Sequence, residues 1–151
     1  MRVNKKTNKG KTMNTKFIKN DKMNNETYKH RTEVMGLIYE ALDYGIKLPR
    51  INVRIGTATK GNENTLGVGG KKWIWITRNA MNKSTDKALS QDYLRHVVFH
   101  EIGHAVFGLN HREDCPLMCS ELDKPVTKKQ ALSILKEYAQ LIDKLNNQKV
   151  A

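Results

Sequence analysis

The stretch from Ser90 to Leu109 constrains this chain most: Leu94, Val98, Ile102, Ala105 and Leu109 recur at helical spacing, with His100-Glu101-Ile102-Gly103-His104 inside the same turns. An apolar stripe of this length predicts a helix packed against a core. Residues four apart stand one turn above each other, so the helix stacks two imidazoles on one face and places Glu101 on the flank. Ser90 is the expected N-cap, Asp92 lies in the first turn, where a carboxylate meets the positive end of the helix dipole, and the helix is expected to reach Phe107 or Gly108. A histidine pair at this spacing is often only a polar helix face. The acidic neighbour, the embedding stripe, the glycine that follows, a further histidine and Met118 point instead to a metal site.

The other elements follow from periodicity. Val34, Leu37, Ile38, Ala41 and Leu42 predict a helix over about 26–44 that stops at Gly45. After Leu48-Pro49, the alternation of Ile51, Val53 and Ile55 predicts a strand at about 50–56. Residues 57 to 71 are rich in Gly, Asn, Thr and Lys and read as a loop or a weak edge strand around Leu66-Gly67-Val68-Gly69. Trp73-Ile74-Trp75-Ile76-Thr77 predicts a strand, with the inward-facing set undecided between tryptophans and isoleucines. Thr127 with Gln130 forms a capping-box pattern, and Ala131, Ile134, Leu135, Tyr138, Leu141, Ile142 and Leu145 predict a final helix to the end of the chain. Helices and strands within one domain make the expected class α+β, with a helix carrying the histidines and a C-terminal helix.

Length and charge narrow the alternatives. At 151 residues a single domain is expected. The formal net charge is +12, but residues 1–31 hold ten Lys or Arg against Asp21 and Glu26, and the remaining 120 residues carry seventeen basic and thirteen acidic side chains. The basicity therefore belongs mainly to an N-terminal arm, residues 1–25, too poor in apolar residues to fold alone and suited to a nucleic acid or an acidic partner. No apolar run approaches the roughly 20 residues that span a bilayer, and the arm lacks the core of a secretory signal. A cytoplasmic monomer without membrane contact is the expectation.

A catalytic zinc takes three protein ligands and keeps one position open. His100 and His104 supply two, and the third must come from beyond the helix. Gly108 can end the helix in a left-handed conformation and let the chain turn back, which makes His111 the favoured third ligand, with Asp114 and Glu113 as rivals. His96 lies one turn before His100, but three turns of a straight helix cannot converge on one tetrahedral ion, so it is left out. Cys115 and Cys119 make at most an incomplete second metal site and are expected to be free thiols.

Residues 100–118 resemble the metzincin metallopeptidases, whose signature HExxHxxGxxH precedes a methionine turn. The resemblance implies that His100, His104 and His111 bind one zinc ion, that Glu101 is the general base of peptide-bond hydrolysis, and that Cys115-Pro116-Leu117-Met118 is the methionine turn. It also implies a compact α+β zincin fold with a small mixed sheet, an active-site helix and a C-terminal helix, in which Leu66-Gly67-Val68 is the edge strand along which an extended peptide lies. Gly108 and His111 each stand one residue later than in the family pattern, and Asn110 occupies the slot of the third histidine. The expected activity is therefore that of a zinc metalloendopeptidase on a peptide or protein substrate. The alternative is a basic nucleic-acid-binding protein with a structural or vestigial zinc site, which accounts for the charge but not for Glu101.

Overall fold

The computed structural model describes residues 17 to 150, and these form a mixed α+β fold of four helices and a four-stranded sheet. Residues 1–16 of the expected arm lie outside the described residues. The elements are β1 (Ile18–Asn20), α1 (Asn25–Asp43), β2 (Asn52–Ala58), β3 (Gly67–Gly70), β4 (Trp73–Thr77), α2 (Arg78–Met81), α3 (Lys87–Ala105) and α4 (Lys128–Val150). The sheet order is β1-β2-β4-β3, with β2 and β4 parallel and both edge strands antiparallel to their neighbours.

Register explains which residues face inward. Val53 pairs with Ile74 and Ile55 with Ile76, and all four are buried in the main core with Phe99, Ile102 and Leu135. Because side chains alternate across a strand, Trp73 and Trp75 turn to the other face, beside Arg54 and Val68, where their rings lie 5.5 Å apart. The isoleucines are thus the inward set. Helices α1 and α3 both pack on the isoleucine face. Buried Arg95 on α3 spans them, donating to Glu40 at 2.7 Å and to Asp92 at 2.8 Å, so its charge is met on both sides.

Helix ends are set by side-chain caps. Asn24 accepts the Thr27 N–H, starting α1 one residue before the expected position, and Gly45 at φ 96° follows its end. At α4, Thr127 and Gln130 cap each other reciprocally, as the capping-box pattern requires. Helix α3 differs from expectation: Asp86 is the N-cap, accepting from Leu89 N–H at 3.0 Å, and Ser90 lies inside the first turn with its hydroxyl directed at the Met81 carbonyl. The apolar stripe begins only at Leu94 because the added first turn, with Leu89 exposed, contributes nothing to the core.

A second correction concerns the arm. Its last part is structured: β1 pairs with β2, Ile18 is fully buried, and Asp21 accepts from Thr57 Oγ1 and Arg78 Nε, both at 2.6 Å. Arg78 also donates to Glu26 and Thr27, fastening β1, α1 and α2 together. The boundary expected at residue 26 therefore falls too late, since one isoleucine with a complementary sheet edge is enough to order a short strand. No helix among the described residues is long and apolar enough to cross a membrane.

Candidate metal centre

The C-terminal half of α3 and the loop that follows it build the site. The helix ends at Ala105; Val106 and Phe107 turn, Gly108 takes φ 65°, and Leu109 N–H donates back to the Gly103 carbonyl. The residue additional to the HExxHxxGxxH spacing is absorbed in this turn, which returns the chain towards the two helical histidines. His111 is thereby brought to them: His100, His104 and His111 each offer a ring nitrogen within 4.8 Å of the others, and the three ring centroids are 4.7, 5.1 and 4.9 Å apart.

The loop also fixes the protons on the helical pair. Leu117 O lies 2.8 Å from His100 Nδ1 and Leu109 O lies 2.5 Å from His104 Nδ1. A carbonyl only accepts, so both Nδ1 atoms carry hydrogen and both Nε2 atoms of the neutral rings are bare. Those bare atoms face each other at 3.1 Å. Two lone pairs so close repel unless a cation lies between them, and 3.1 Å is near the roughly 3.3 Å that separates two nitrogens at zinc bond length and tetrahedral angle. The rings are held in the ligating state: burial pushes His100 down to about 4, and burial also lowers His104, against the opposing effect of the carbonyl contacts.

Glu101 is buried, 6% exposed, and no Lys or Arg pairs with it among the described residues. Burial pushes its carboxyl up to about 8, opposed by one backbone N–H from Gly69. A buried carboxyl with one hydrogen bond and no cationic side chain fits a place that a bound cation completes. The carboxylate lies between α3 and β3 and borders the clefts on both sides of it. One, of about 830 Å³, also includes His100 and His111; the other, of about 430 Å³, includes His104 and His111.

Glycines make this approach possible, and sequence reasoning missed them. Gly67 and Gly69 share the helix-facing side of β3, opposite Ile76 and Ile74. A Cβ on Gly69 would lie 2.6 Å from the Glu101 carbonyl, and one on Gly67 would lie 3.0 Å from Glu101 Cγ. Glycines two apart in a predicted edge strand were the available signal. Gly103 plays the same part beneath the helix, where an added Cβ would stand 2.6 Å from Met118 Sδ. Fully buried Met118 therefore packs under the turn between His100 and His104, and its carbonyl accepts Arg112 N–H, which closes the loop carrying His111.

The rival ligands point elsewhere. Asp114 is paired with Arg112 at 2.9 and 3.1 Å, which holds its carboxyl below the usual range, and Glu113 accepts the Ser120 hydroxyl at 3.0 Å. Cys115 and Cys119 are free thiols: the first is buried beside Tyr138, the second directed at the Cys115 carbonyl. Neither belongs to the histidine group.

Comparison with protein-family models, curated proteins and solved structures finds no match.

Proposed function

We propose that the chain is a zinc-dependent metalloendopeptidase of metzincin-like fold, in which His100, His104 and His111 hold the metal and Glu101 is the general base. The observation that carries this reading is the pair of bare Nε2 atoms 3.1 Å apart, with a third imidazole beside them and a buried carboxyl next in sequence. Three nitrogen donors at the mouth of open clefts suit a catalytic rather than a structural zinc, which normally has four protein ligands. Zinc bound there supplies Lewis acidity, making water nucleophilic near neutral pH and polarising the scissile carbonyl.

The remaining work falls to the chain's own groups. Glu101 would take the proton of the attacking water and return it to the leaving amine, and a zinc ion held by the three histidines would favour the ionised, accepting form of its carboxyl. Leu109 and Leu117 carbonyls hold the imidazoles in the required tautomer, a role that typically governs metal affinity by 10- to 100-fold. Outermost strand β3 offers its far edge to an extended peptide, whose backbone would then run past Glu101.

The test is metal content with peptide cleavage. Purified protein should contain one zinc per chain and cleave an unstructured polypeptide. Glu101→Gln should retain the zinc and lose about 10²- to 10⁴-fold in kcat/KM. A metal-free protein that remains inert after zinc is supplied contradicts the proposal, as does a Glu101→Gln variant as active as the parent.

A further inference from the structure

The larger cleft does not end at the histidine group. It continues along α3 past Val97 to His96, one turn earlier. His96 is 3% exposed, and its Nδ1 accepts the Val126 N–H at 3.1 Å. An atom that accepts an N–H carries no hydrogen of its own, so the neutral ring is protonated at Nε2. That N–H has no acceptor among the described residues, and its ring lines the cleft. It is a donor on the cleft wall, open to solvent and able to meet a ligand group.

Around it the cleft is bordered by exposed Glu63, Glu121 and Asp123, with Lys83 as the one Lys or Arg among the described residues. This surrounding disfavours an anionic side chain. A lysine or arginine would gain from the rim, but an exposed ion pair is worth roughly five-fold at most. It would also leave the His96 N–H dry and unmatched, a penalty of roughly 10- to 100-fold. An aliphatic side chain meets the same penalty with no gain at the rim. A carboxamide satisfies both features, because its oxygen accepts from the floor while its NH₂ donates to the carboxylates.

Building on the peptidase reading above, we propose that this cleft is the substrate side-chain site and that it selects glutamine or asparagine, with His96 Nε2–H as the specificity-determining donor. The side chain of the residue flanking the scissile bond enters alongside His100 and reaches His96 at the far end.

The test uses the zinc-loaded full-length protein with a peptide library in which cleavage positions are read by mass spectrometry, and then matched peptides carrying Gln, Asn, Glu, Lys or Leu at the preferred position. Gln or Asn should exceed Leu and Lys by roughly 10-fold or more in kcat/KM. His96→Leu should bring Leu level with Gln, while His96→Gln, which keeps an acceptor for Val126 and a donor for the cleft, should preserve the preference. Zinc content and melting temperature show whether each variant folds. If His96→Leu does not fold, the wild-type Gln-to-Leu ratio and the ring tautomer decide: ¹⁵N-histidine spectra should place the His96 hydrogen on Nε2 at neutral pH. Cleavage with no advantage for carboxamides, or a hydrogen on Nδ1, overturns the inference and leaves the peptidase reading standing. Failure to cleave any peptide overturns both.

Discussion

The two edges of the sheet use the same device for opposite ends. At the β1 edge, Gly56 lets Ile18 and the Lys19 backbone close in, with a Cβ there only 2.5 Å from either, and the contact is completed by the apolar side chain and the Asp21–Arg78 pair. At the β3 edge, Gly67 and Gly69 admit not a core side chain but Glu101, a carboxyl next to three imidazoles. One edge is sealed by its own chain. The other keeps polar groups buried and open to two clefts, the arrangement expected where stability is given up for chemistry.

Ile18→Ala should expose the contrast most strongly, lowering unfolding stability by about 2–5 kcal/mol in urea titrations while the folded fraction keeps its zinc affinity. Acid should act on the other side. Burial holds His96 at about 4 against an ordinary 6.5, so only the unfolded chain takes up that proton in between. In zinc-free protein the stability difference between wild type and His96→Gln should be constant above about pH 6.5 and shrink towards pH 4 by up to about 3 kcal/mol. The difference isolates His96 from the similar acid loss at His100 and the opposite slope of Glu101, whose raised carboxyl favours the fold less as pH rises towards 8.

Matched glycine substitutions sharpen the comparison further. Gly56→Ala and Gly69→Ala each force a Cβ onto backbone oxygen and should each cost about 1–3 kcal/mol of stability by thermal or chemical unfolding. Only Gly69→Ala should also reduce kcat/KM of the folded protein, since it displaces Glu101. The smallest effect is expected at Asp114→Asn, which removes an exposed, solvent-screened pair with Arg112 and should leave both the melting temperature and the zinc content nearly unchanged.

The sequence made α1, β4, α4 and the histidine helix legible because each carries a strong period or a two-residue cap. The β4 facing was not legible: tryptophan and isoleucine are both at home in a strand, and only pairing with Val53 and Ile55 assigns the isoleucines to the core. Nor was β1, three residues long in a Lys- and Asn-rich segment, where everything depends on Ile18 meeting a partner far along the chain. Short α2 has no periodicity to betray it. At the site, residue types and spacing brought His100, Glu101, His104 and His111 into view. The carbonyls of Leu109 and Leu117 were beyond reach, since backbone groups leave no mark in a sequence, and the same holds for the Val126 N–H that fixes the hydrogen on His96.

The central claim is that three imidazoles converge on one zinc ion, and absorption spectroscopy at the zinc edge tests it most directly. The account predicts three imidazole nitrogens at about 2.0–2.1 Å with a light-atom donor completing the shell. A sulfur donor from Cys115 or Cys119, or a shell with only two imidazoles, would contradict it.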